Sequence, residues 1–157
     1  MNNPSNVEIE RKYLLRALPQ MPAPVDVLEI DQGYLPGTKI LERLRRQTSR
    51  DGTTRYFRTI KFGMGVERTE LEDETDRRTF EQMWPVTEGA RVRKRRYIVA
   101  NGADHWEIDE FTDRTLALAE LEIDRADAKI AFPDWLTSVL VREVTDEKEY
   151  TNRSLAR

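Results

Sequence analysis

Along most of the chain, apolar residues recur at every second position, the spacing of a β-strand with one covered face. This alternation predicts eight strands, at 7–15, 27–35, 39–47, 54–62, 67–74, 90–99, 104–111 and 116–124. Turn chemistry lies between them, with "PG" at 36–37, "DG" at 51–52, "GMG" at 63–65, "NG" at 101–102 and "TDR" at 112–114. Such short links join antiparallel neighbours. Helical spacing is scarcer. Asp76 can cap a helix running through Phe80 and Trp84 to Pro85, a second helical stretch at about 125–142 is broken by Pro133, and a short helix closes the chain near "NRSLAR". The Pro-rich "LPQMPAPVD" reads as a connector, and residues 1–157 read as one domain.

Side chains two apart share a strand face, so each strand divides into two sides. "VEIERKYLL" puts Val7, Ile9 and Tyr13 on one side and Glu8, Glu10 and Lys12 on the other. Arg43 and Arg45 stand together, as do Thr59 and Lys61, then Arg68, Glu70 and Glu72. In "RVRKRRYIV", Lys94 and Arg96 share a side, with Arg91, Arg93 and Arg95 on the reverse. Glu107 pairs with Asp109 and Glu120 with Glu122, so seven of the eight strands carry charges at spacing two.

The bland explanation is a solvated sheet face laced with weak cross-strand ion pairs. Two features weigh against it: the positions are almost wholly ionic, and they sort by strand into acidic and basic sets. If the sheet curls until these sides converge, it forms a closed barrel with a charged lumen and an apolar exterior, covered by helices or by a second copy in a homodimer. Unpaired ions in a dry lumen would each cost about several kcal/mol. The lumen must therefore hold water and charged ligands, an anion on the basic wall and a metal on the acidic one.

Composition narrows the ligands. Charged residues make up 35% of the chain, above the roughly 25% of an average globular protein, which fits a face built from ions. The 26 Lys and Arg against 29 Asp and Glu give a net charge of -3, so a general nucleic-acid surface is not expected and an anion site must be local. With no cysteine, any metal must be held mainly by oxygen. The chain has neither an apolar run of membrane-spanning length nor a signal-peptide pattern, so the expectation is a cytoplasmic protein without membrane partners.

The motifs in order resemble those of the CYTH superfamily, the triphosphate tunnel metalloenzymes. They are "EIERKYL", "ERLRR", "TIK", "RTELE", "RKRRY", "WEIDEF", "LAELEI" and "VTDEKEYTNRSLA", spanning nearly the whole chain. The resemblance implies an eight-stranded antiparallel tunnel that binds triphosphates with a divalent metal, Mg²⁺ or Mn²⁺. Its length, "DQGYL" and "DEKEYTNRSLA" are most similar to short bacterial tripolyphosphatases.

On this reading Arg43, Arg45 and Arg96 grip phosphate oxygens bidentately, and Lys12, Lys61 and Lys94 act as point charges. Lys148 resembles the last lysine of the family's phosphate-binding set, and Arg68 has either a phosphate role or a structural one. Glu8, Glu10, Asp109, Glu120 and Glu122 form the expected metal wall. Glu70, Glu72 and Glu107 either orient the basic residues or ligate the metal directly, and Tyr150 accompanies Lys148 in its motif. Turnover is expected to depend on Lys12, Arg45, Lys94 and Glu122. His105 reads as a surface residue, and Trp84, Trp106 and Trp135 as cover for the exterior.

The implied reaction is metal-dependent hydrolysis of inorganic tripolyphosphate to pyrophosphate and phosphate. The alternatives are an adenylyl cyclase of the class IV type, an organic triphosphatase acting on thiamine or nucleoside triphosphate, and a non-catalytic polyphosphate-binding module.

Overall fold

The computed structural model describes residues 9–64 and 67–157, apart from the side chains of residues 63, 64, 67 and 68. It is mainly antiparallel sheet. The strands are β1 (Ile9–Leu15), β2 (Asp26–Tyr34), β3 (Leu41–Thr48), β4 (Thr54–Met64), β5 (Glu67–Thr75), β6 (Arg91–Asn101), β7 (Asp104–Phe111), β8 (Ala117–Ile123) and β9 (Leu140–Glu143). They form one sheet in the order β5-β4-β3-β2-β6-β7-β8-β1-β9. The expected closed ring of eight is therefore corrected: among the described residues the sheet has nine strands and is open, with β5 and β9 at its edges.

The ninth strand lies in the stretch expected to be helical at 125–142. Pro133 halts that pattern, and only α2 (Asp134–Thr137) forms before the run Val139, Leu140 and Val141 extends along β1. β-branched residues favour that extended form. Tyr13 then pairs with Glu143, while the Val139 carbonyl and the Val144 N–H continue the bonding to Arg16 and Lys12. The other two helices match the sequence reading. Asp76 caps α1 (Arg77–Met83) by accepting from the Thr79 N–H at 2.9 Å, and a 3₁₀ turn at Trp84–Thr87 starts at Pro85's bend. α3 (Asn152–Leu155) closes the chain.

The two faces of the sheet differ in kind. One face packs Tyr13, Leu15, Val99, Trp106, Ile108 and Leu121 beneath α2 and residues 130–132, and Trp106 is fully buried there. Trp135 is partly buried against this cluster. Farther along the same face, Phe80 stacks on Trp84 at 5.0 Å and meets Tyr56, while the Arg91 guanidinium lies 4.4 Å over the Trp84 ring. Arg93 and Arg95 pair there with Asp31 and Glu29, so the outer basic stripe serves packing and cross-strand pairing.

The opposite face carries the charges, and it curves. Tyr34 on β2 feels the Lys12 charge on β1, although β6, β7 and β8 stand between them in the sheet. One end of this face is apolar: Val92, Phe111, Leu118 and Val144 pack with Tyr150, Leu155 and Ala156 of the C-terminal segment. Among the described residues no helix is long and apolar enough to cross a membrane.

Gly33 fixes the distance between β2 and the 3₁₀ turn, since a Cβ there would lie 2.6 Å from both Cβ and Oγ1 of Thr87. Thr87 is itself buried, with no room to retreat. Gly33→Ala is therefore expected to cost about 1–3 kcal/mol, read as a lower urea midpoint at unchanged slope.

Candidate active site

Register brings the charged residues together. Paired residues in an antiparallel ladder share a face, so Lys12 opposite Glu120, Glu107 opposite Glu120, and Arg96 opposite Asp109 form one contiguous patch. The basic set continues across β2 to Arg45, opposite Gln32, and Arg43, opposite Tyr34.

At the centre Asp109 is fully buried. Its Oδ1 accepts from Arg96 Nε at 2.7 Å, and its Oδ2 accepts from Arg96 Nη2 at 2.7 Å and from Lys94 Nζ at 2.6 Å. Burial pushes this carboxyl up, but Arg96 and Lys94 outweigh burial and hold it well below the usual range. Arg96 also reaches Glu120 Oε2 at 2.8 Å and Glu107 Oε2 at 2.5 Å. The arrangement differs from the metal wall expected for Asp109, because both of its oxygens are already engaged by cations.

Glu120 is also buried, and among the described residues its Oε1 accepts no hydrogen bond, though it forms an ion pair with Lys12 Nζ at 3.2 Å. Burial pushes Glu120 up, while Arg96, Lys94 and Lys12 more than offset it. Glu10 sits at the rim of the curved face, in reach of water yet flanked by protein. Burial first and the neighbouring Glu120 second raise its carboxyl to about 7, against the pull of Lys12 and Arg96. Glu107 rises for the same two reasons. Glu122, exposed and opposite Glu10 in register, joins these three around a cavity of about 600 Å³. His105 is exposed at its edge.

The basic wall is uneven. Arg43 is buried and bonded to Thr59 Oγ1 at 3.0 Å and Glu72 Oε2 at 2.8 Å, and Lys61 pairs with Glu70 at 2.8 Å. Glu70 and Glu72 thus lie against Lys61 and Arg43. Arg45 instead donates to Gln32 Oε1 at 3.1 Å, and burial with the nearby Arg43 and Arg96 lowers it to about 10. Burial also lowers Lys94, whereas Lys12 is raised because Glu120 and Glu10 outweigh its burial.

Lys148 is exposed in the 3₁₀ turn Lys148–Tyr150. From the same segment the Tyr150 carbonyl accepts from Lys12 Nζ at 3.3 Å, and Asn152 Oδ1 accepts from Lys94 Nζ at 3.1 Å. Glu8 and the Arg68 side chain lie outside the described residues.

The alternation of charge did not reveal Gln32, Tyr34 or Asn152. Gln32 donates through Nε2 to the buried Tyr34 hydroxyl at 2.8 Å while accepting from Arg45, so it ties two strands' side chains together. Its only signal was "DQGYL", a polar residue in step with Leu28 and Ile30.

An inorganic triphosphatase from Nitrosomonas europaea is 39% identical over 157 aligned residues, covering 95% of this chain and 96% of its own length. The chain belongs to the inorganic triphosphatase family. A solved structure described as the inorganic triphosphatase NE1496 matches with a TM-score of 0.67 at 36% identity, over 95% of this chain and 93% of that one. The PH1819 protein from Pyrococcus horikoshii, at 17% identity and a TM-score of 0.52 over 76% of this chain and 80% of that one, shares the fold. No protein-family profile matches the chain.

The Glu10 shift has a testable sign. An acid with a raised folded value holds its proton more tightly when folded, so its contribution favours folding at low pH. That contribution is lost as pH rises from 4.5 to about 7. In metal-free buffer, the stability of Glu10→Gln relative to the unaltered chain should therefore rise across that window and level off above it. Urea titrations at pH 5, 6, 7 and 8 measure this, and a flat difference contradicts it.

Proposed function

We propose that this chain hydrolyses a phosphoanhydride bond of inorganic tripolyphosphate, releasing pyrophosphate and phosphate with the aid of Mg²⁺ or Mn²⁺, as a triphosphate tunnel enzyme of the CYTH type. The observation that carries this reading is the convergence of Lys12, Arg45, Lys94 and Arg96 on one curved face beside Glu10, Glu107 and Glu120. Tripolyphosphate bears about four to five charges near neutral pH, and phosphoryl transfer asks the protein mainly for positioning and charge stabilisation.

The acidic side fits a hard divalent cation. Its donors are all oxygen, the buried Glu120 Oε1 has the Lys12 ammonium 3.2 Å away but no hydrogen bond among the described residues, and Glu10 is raised partly by repulsion from Glu120. Among the described residues no three acidic side chains form a ready-made metal cage. That suits an ion such as Mg²⁺, which keeps waters and substrate phosphates among its ligands. Glu10, Glu120 and Glu122 would hold it, and when bound it supplies charge neutralisation and an acidified water.

The chain's own residues do the rest. Arg45 offers its guanidinium to phosphate oxygens, and Lys12 bridges the two walls through its contact with Glu120. Asp109 holds Lys94 and Arg96 in place as a support for the phosphate wall. Glu70 and Glu72 do the same for Lys61 and Arg43.

The test is a panel of pyrophosphate, tripolyphosphate, ATP and thiamine triphosphate, each with Mg²⁺ or Mn²⁺ and with chelator. Phosphate should be released fastest from tripolyphosphate and only with metal, and Lys12→Ala should lower the rate at least ~100-fold. Cyclic AMP from ATP, or tight tripolyphosphate binding without phosphate release, would replace this reading with a cyclase or a binding module.

A further inference from the structure

Most cations of the basic wall are held by carboxylates: Lys12 by Glu120, Arg43 by Glu72, Lys61 by Glu70, and Lys94 and Arg96 by Asp109. Arg45 differs. Among the described residues it forms no ion pair, and its hydrogen bond runs from Nε to the amide oxygen of Gln32 at 3.1 Å. Its charge points into the curved face, where it feels Arg43, Arg96 and Glu72. The two Nη nitrogens have no acceptor among the described residues, yet they are not among the unpartnered polar atoms sealed from water, and the side chain is only half-buried. Water therefore reaches these N–H groups, and a phosphate oxygen that displaces the water meets them directly.

We propose that Gln32 is a positioning residue for triphosphate binding: its neutral amide orients Arg45 through Nε and leaves the guanidinium's charge and both Nη groups to the phosphate oxygens. The proposal rests on the tripolyphosphate reading above and deepens it.

Gln32 is fully buried, and its amide has one consistent orientation. Its Nε2 donates to the Tyr34 hydroxyl at 2.8 Å, so its Oε1 faces Arg45 Nε; the reversed amide would set donor against donor. Tyr34 is held in turn, since its ring is buried beneath the Arg153 guanidinium at 5.2 Å and its backbone N–H donates to the Ala90 carbonyl at 3.0 Å. A guanidinium fixed at Nε has its plane set, which is what a two-pronged grip on phosphate requires. A carboxylate at position 32 would fix Nε as well, but it would cancel the charge as Asp109 does for Arg96. An amide orients without neutralising.

The test reads tripolyphosphate binding by calorimetry in chelator, beside the melting temperature of each variant. Gln32→Leu, close in size and without an acceptor, should weaken binding about tenfold. Arg45→Met should weaken it at least as much, and adding Gln32→Leu to Arg45→Met should weaken it by no more than about twofold further, because Gln32 acts through Arg45. Gln32→Glu keeps the acceptor and adds a charge, so it should hold or raise the melting temperature while weakening binding about tenfold, and it decides the matter where Gln32→Leu does not fold. An unaltered affinity in Gln32→Leu or in Gln32→Glu, or losses that multiply in the double variant, overturns the proposal. A chain that binds tripolyphosphate but releases no phosphate with Mg²⁺ defeats the hydrolysis reading, while these affinities still decide the role of Gln32. An unaltered chain that does not bind tripolyphosphate defeats both.

Discussion

The Asp109 carboxylate lies wholly out of water between Arg96 and Lys94, and Arg96 extends the contact to the buried Glu120. Removing such groups from water costs several kcal/mol per ion unless each finds its partner in good geometry. Here the geometry comes from strand register, with Asp109 opposite Arg96 and Glu120 opposite both Glu107 and Lys12. A slip of one residue in β7 would turn Asp109 toward the apolar face and leave Lys94 and Arg96 buried without it. The site and the sheet pairing are therefore one constraint.

That constraint explains why one face holds the hydrophobic core and the other the chemistry. The face bearing Tyr13, Trp106 and Leu121 gains its stability from burial beneath α2 and residues 130–132, with few ionic demands. The charged face is sealed at one end by the C-terminal segment, which fills the apolar patch around Val92, Phe111 and Leu118 and also meets Lys12 and Lys94. Segments remote in sequence thus close the ends and backs of the sheet while the strands place the ions.

The charged face was legible in the sequence because a strand's two-residue period assigns each side chain to a face without any three-dimensional information. Lys12, Arg45, Lys94, Arg96, Asp109 and Glu120 follow from that period alone. Strand closure does not, since nothing in "LVRE" distinguishes a ninth strand from the end of a broken helix until β1 offers it a free edge. Asn152 and Gln32 escaped for a related reason. Their importance lies in which cation they touch, and contacts between Lys94 and Asn152, 58 residues apart, leave no periodic trace. The motif around Lys148 drew attention to the segment from which Tyr150 and Asn152 contact Lys12 and Lys94.

The remaining electrostatic mismatches have opposite signs at different places on the same face. Arg45 is lowered by its burial among Arg43 and Arg96, which means its charge lacks enough nearby anion. Glu10 is raised by burial and by Glu120, which means its charge lacks enough nearby cation. The two do not pair with each other: Arg45 donates to Gln32, and Glu10 stands 3.9 Å from Lys12. On the proposed reading, a polyanion beside Arg45 together with a cation beside Glu10 would relieve both mismatches while leaving the central network intact.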